Sequence, residues 1–376
     1  MVDKTVNAGV GAQQGFDLQR NMALFIILDN FNDKFKGNKY FLSLEHLEDI
    51  IFCFINDIGE STHIDTYQSK KKSTGNWTVN QDLAVVVAKI LETGGKLISD
   101  PYPKAKNYQH ALHFSSNAIM HFTKSVAQKK PLKPIPFSEI INDQNLISSF
   151  PSLNIHIQSA IKDSIIKKYK YGDSLPKELE QELENLKFLF VDMTKTSKEQ
   201  ENQLEGKLSS IFGNKINDKK AAIETLFSLF NKIGLTYNQK NIARLNDKSK
   251  RVESDEVENA LDIITTKSKA FDYWRKEERN ISRKLQIRPF EKENFELMFY
   301  SAFDFFKSNQ EAEHQRIITF VKENYLSCQG CDEEECISEL FVLFNNTNNT
   351  TFEVMNLKAV LYAAYFETIY KTEVKN

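Results

Sequence analysis

The segment KKPLKPIPF, residues 129–137, carries Pro131, Pro134 and Pro136. Each proline fixes φ and removes a backbone donor, so no helix or central strand is expected to run through it unbroken. The apolar pattern also changes across this stretch. It is therefore the expected boundary between a first domain, 1–135, and a second, 136–376.

Upstream, apolar residues recur at helical spacing from Phe16 to Leu28, which predicts a helix. Tyr40–Leu44 and Ile50–Ile55 are β-prone, a polar turn with Gly59 follows, and Ile64–Lys70 reads as a third strand. Asn80 is the expected N-cap of a helix through Leu83, Val86, Val87, Ile90 and Leu91 that stops at Gly94–Gly95. A strand at His110–Ser115 and another helical piece complete an α/β unit, a mixed sheet flanked by helices. Downstream, Leu179–Val191, Ala221–Ile233, Phe295–Phe306 and Leu357–Tyr370 read as amphipathic helices, with no fixed-period repeat, so a mostly α-helical second domain is expected.

The 376 residues are 41% hydrophobic and 27% charged, enough apolar mass for two cores. The formal net charge of −2 conceals clusters: Lys70–Lys72, Lys129–Lys130 and Lys167–Lys168 against Asp332–Glu335. Whole-chain charge neither supports nor excludes a polyanionic partner. The first residues lack a basic start and an apolar core, and the apolar runs are too short to span a bilayer, so a cytoplasmic protein without membrane contact is expected. Four cysteines, with Cys53 inside an apolar run, make no disulfide framework and fit a reducing compartment.

The stretch TYQSKKK, residues 66–72, places an amide and an ammonium two residues apart. In a strand, Gln68 and Lys70 share one face while Tyr67 and Ser69 share the other. Phosphodiester hydrolysis needs hard oxygen donors for a divalent cation, a charge that orients water, and positive surface for the backbone. Asp49, at the start of an apolar strand, can supply an acid, Gln68 an amide oxygen and Lys70 the charge. A Gln and a Lys on a solvated edge strand would need no function at all. Trp77 reads as a core anchor.

Other patterns point elsewhere or nowhere. Cys328, Cys331 and Cys336 have a zinc-like start, with His314 the nearest fourth ligand, but the second half of a zinc motif is missing, and a loop whose Cys336 begins a buried helix is the favoured reading. The seven histidines form no metal-binding pair, and there is no phosphate-binding glycine loop or serine-nucleophile elbow. An ATP-driven step would therefore have to come from another protein.

Four motifs in order, GFDLQ (15–19), SLEHLEDI (43–50), YQSKKK (67–72) and WT (77–78) leading into a helix, resemble the double-stranded DNA endonuclease domain associated with CD-NTase antiphage systems. The resemblance covers residues 11–120. It implies a restriction-endonuclease-like PD-(D/E)XK fold of the branch in which Q-x-K replaces (D/E)-x-K. It implies Mg²⁺ or Mn²⁺ held by Asp49 and Gln68, with Lys70 as catalytic lysine. Glu45 and Glu48 are further acids of the same run, and the sequence leaves open which of the three reaches the ion. Gln19 and Lys72 are second-tier residues, the one approaching from the first helix and the other meeting a phosphate.

The helical second half departs from the nucleotide-sensing α/β module of CD-NTase-linked members. It is similar instead to nuclease subunits of Lamassu-type systems, where a helical region docks on an SMC-like ATPase, or of systems with a HerA-type ATPase. The implied function is a metal-dependent double-stranded DNA endonuclease, the effector of antiphage defence, restrained until a partner releases it or it forms a homo-oligomer. The alternative is a non-catalytic DNA-binding or scaffold subunit that keeps the nuclease fold.

Overall fold

The computed structural model describes residues 8–72, 74–129, 132–213, 216, 219–234, 244–307, 312–330 and 332–373. The chain opens with α1 (Ala8–Asp29) and a π-helical turn at Phe31–Phe35, then β1 (Tyr40–Leu44), β2 (Ile50–Ile55), β3 (Ser61–Lys70) and α2 (Gln81–Ser99). Next come β4 (Lys104–Ser116), β5 (Met120–Val126), β6 (Ile135–Ile141), β7 (Ile147–Ser149), α3 (Ile155–Tyr169), α4 (Lys177–Glu182) and β8 (Leu186–Phe190). After α5 (Ser197–Phe212), α6 (Lys219–Gly234) and β9 (Val252–Glu253), the remaining elements are helical. These are α7 (Ser254–Lys284), α8 (Lys292–Lys307), α9 (Ala312–Asn324), α10 (Glu333–Thr347) and α11 (Val354–Glu373).

The main sheet has seven strands in the order β7-β8-β4-β3-β2-β1-β9. It is mixed: β3, β4 and β8 run parallel, and β1, β2, β7 and β9 pair antiparallel to their neighbours. A mixed sheet flanked by helices, followed by a mostly helical region, is the expected fold class. The run IIFCFI of β2 is apolar throughout because that strand lies inside the sheet, with Ile50–Cys53 fully buried.

The two sheet faces are covered differently. Ile51, Cys53, Ile64, Leu112 and Phe114 pack with Leu83, Val87 and Leu91 of α2. On the other face Phe35 meets Tyr40 and Phe52 edge-on, and Met22 of α1 brings its sulfur within 3.0 Å of Ser69 Oγ. Asn80 caps α2, its side chain accepting from the Leu83 N–H at 3.0 Å.

Three local expectations change. The segment after residue 116 is strand β5 rather than a helix, because Met120 and Phe122 alternate inward with His121 and Thr123 outward, and β6 supplies the ladder. Leu179–Val191 is only briefly helical: LKFLF becomes β8, since Leu186 and Phe188 bury beside β4. Helix α2 runs past Gly94–Gly95 to Ser99. Those glycines do not end it; a Cβ at Gly94 would run into the Glu182 carboxylate.

Two compact units result, Met1–Leu208 with Ile223–Val257, and Ser209–Ala222 with Glu258–Asn376. Of the chain that follows the prolines, the stretches up to Leu208 and Ile223–Val257 group with the sheet, and Ser209–Ala222 groups with the second unit. Pro136 lies within β6, which among the described residues pairs with β5 alone, and an unpaired strand edge tolerates a missing donor. Pro131 lies outside the described residues. The second unit has its own core, built on Phe295, Phe299, Phe303, Ile337, Leu340 and Tyr362. Among the described residues no helix is long and apolar enough to cross a membrane.

Candidate active site

The turn between β1 and β2 is closed by Glu45 N–H donating to Asp49 O at 3.1 Å and His46 N–H donating to Glu48 O at 3.2 Å. Glu45 adopts φ of 49°, an unusual conformation for a residue with a side chain. This tight geometry delivers Glu48 and Asp49, both buried, to the mouth of β2. On the neighbouring strand, the pleat of β3 turns Gln68 toward the α2 face and Ser69 toward α1.

Four of the expected residues converge here. Asp49 Oδ2 accepts from Gln68 Nε2 and from the Ser69 backbone N–H at 2.9 Å, and Lys70 Nζ lies 3.7 Å from the same oxygen. Glu48 points to α2, with Oε1 3.5 Å from Thr93 Oγ1 and Oε2 3.5 Å from Lys89 Nζ. Burial pushes the Glu48 carboxyl up to about 7; Lys89 opposes the shift and the Asp49 charge adds to it. Lys70 is about a third exposed, so it faces both the buried acid and solvent.

Lys89 was not anticipated. It stands on α2 one turn before Thr93 and donates to Gln68 Oε1 at 2.8 Å. The amide orientation follows from chemistry, since a carboxylate needs a donor on one side and an ammonium needs an acceptor on the other. The available signal was a lysine three residues after Val86 and beside Ile90, at the margin of the apolar stripe of a helix expected to cover the sheet.

The other named residues lie apart. Glu45 is exposed, and its charge acts on Lys250. Lys72 donates to Asn76 O at 2.6 Å and sits over the Trp77 ring. Trp77 is buried edge-on to Phe114, with its indole N–H on Ser116 Oγ. Gln19 belongs to α1, on the opposite sheet face, where its buried Oε1 has no hydrogen-bond partner. That face holds a separate ionic cluster, Asp65 with Lys34 and His63. Burial drives the Asp65 carboxyl up, but its bond to His63 and the charges of His113 and Lys34 outweigh this and hold it below the usual range.

The donor set near Asp49 is two carboxylates and an amide oxygen, hard ligands that suit Mg²⁺ or Mn²⁺, with Glu48 Oε2 buried and lacking a hydrogen bond. Among the described residues no three His, Cys, Asp or Glu side chains converge on a metal position. Cys331 lies outside the described residues, while Cys328 and Cys336 approach backbone carbonyls, Cys336 O and Gly330 O.

The family model described as Cap4, dsDNA endonuclease domain, matches residues 7–234, well past the span 11–120 of the motifs. No curated protein and no solved structure gives a significant match.

Proposed function

The chain belongs to the family of the Cap4 dsDNA endonuclease domain, and from that premise we propose that it is a metal-dependent endonuclease of double-stranded DNA in bacterial antiphage defence. The observation that carries this reading is the meeting of Asp49, Gln68 and Lys70 with the buried acid Glu48 inside the matched region. Asp49 and Gln68 would hold a divalent cation, which when bound polarises the phosphoryl oxygen and acidifies a bound water. Lys70 places its ammonium to stabilise charge developing on the phosphate. Glu48, with its proton affinity near neutrality, can hold a proton at Oε2 when water attacks.

Backbone and charge contacts of this kind favour little base specificity. A cytoplasmic nuclease of this type must be restrained in its host, and the second unit, with its separate helical core, is our candidate for that role. It would dock an SMC-like or other ATPase partner, as in Lamassu-type systems, or bring copies of the chain together so that two sites meet two strands.

Purified chain should cut supercoiled and linear plasmid with Mg²⁺ or Mn²⁺ and not with EDTA. Lys70→Ala should lower the rate roughly 10²–10³-fold while DNA binding persists. Equal cutting by wild type and variant would refute the assignment of Lys70. DNA binding without cutting, even after addition of neighbouring gene products, would favour the scaffold reading instead.

A further inference from the structure

Lys89 lies against two of the oxygen donors beside Asp49, those of Gln68 and Glu48. Its ammonium is 2.8 Å from Gln68 Oε1 and 3.5 Å from Glu48 Oε2. Glu48 Oε2 is buried and accepts no hydrogen bond, so the lysine charge is its nearest compensation. The Gln68 amide is oriented by this lysine on one side and by Asp49 on the other. For its oxygen to join Asp49 on one ion, the amide has to turn over and Lys89 has to release it. The Lys89 side chain is 54% exposed, so its head can withdraw to water by rotation of the stem alone.

We propose that Lys89 is an internal, displaceable cation that occupies the oxygen donors of the site in the metal-free protein and competes with the divalent ion for them. The inference rests on the endonuclease reading and extends it to regulation of that same site. A protonated lysine satisfies Gln68 and Glu48 without supporting the chemistry of a bound divalent ion. The metal-free site is therefore stable and idle, and the metal concentration needed to load it is raised. Anything that draws Lys89 away, such as a DNA phosphate that pairs with its ammonium, would ease metal entry and link loading to the presence of substrate.

The test is Mn²⁺ binding by calorimetry, without DNA, on the full chain and on Lys89→Met, Lys89→Ala, Lys96→Met and Asp49→Asn. Lys96 lies two turns further along α2 and removes the same charge without the contact. Both Lys89 variants should bind Mn²⁺ about tenfold more tightly or better, as expected for loss of a cation within 4 Å of the ion's oxygens. Lys96→Met should match wild type and Asp49→Asn should lose binding. Wild-type affinity in the Lys89 variants, or weaker affinity, overturns the competition while leaving the endonuclease reading in place. An equal gain in Lys96→Met reduces the effect to bulk charge and also overturns it. No Mn²⁺ bound by any form overturns both the inference and the metal-dependent reading.

Discussion

Glu48 sits in an environment far from the one its identity suggests. Its side chain has no exposed surface, and burial pushes its carboxyl up from 4.5 to about 7. The folded protein therefore favours the protonated form more than the unfolded chain does. The resulting stability is complete below about pH 4.5 and is lost as pH rises through 7, where folding must bury a charge. A shift of this size corresponds to roughly 3 kcal/mol. Glu48→Gln should therefore match wild type at about pH 4 and be the more stable form at about pH 8.5, in denaturant titrations with EDTA; parallel pH profiles would contradict this. The acid was visible in the LEHLED run, but its burial was not. Three acids in five residues look alike until the positive φ of Glu45 turns one outward and the turn carries the others inward.

Helix α2 is the element that completes the candidate site, because it presents Lys89 and Thr93 one turn apart to Gln68 of β3 and to Glu48 just before β2. Its start was legible: Asn80 precedes the apolar stripe and accepts from Leu83 N–H. Asn80→Ala should cost about 1 kcal/mol of stability, read as a lowered midpoint in thermal unfolding, with an unchanged midpoint as the contrary result. Its end was not legible, since Gly94–Gly95 has the composition of a stop. Only the approach of Glu182, which also bonds His110 at 2.7 Å, explains why a glycine is needed inside the helix. The same limit applies to β8, where Leu179, Leu183 and Leu186 fit a helical period. The parallel partner β4 decides that Leu186 onward is strand.

At the scale of the molecule, one core of described residues lies between sheet and α2 and another among α8–α11. Phe299 lies at the centre of the second, against Phe295, Phe303, Tyr362 and Phe366. Phe299→Ala should destabilise that unit by roughly 3–5 kcal/mol. Hydrogen exchange should then speed up in α8 and α11 while amides of β3 and β4 keep wild-type protection; equal acceleration in both would show one cooperative unit. The sequence alone determined the period-two placement of Gln68 with Lys70, the acid before β2, the capped start of α2 and the helical character of the second half. These are local properties, set by backbone period and by side-chain chemistry within a few residues. Only the tertiary structure decided the strand order, the inclusion of β8 and β9 in the sheet, the exclusion of Glu45 and the arrival of Lys89. Each of those depends on packing between segments distant in the chain, where burial and partner geometry override local preference.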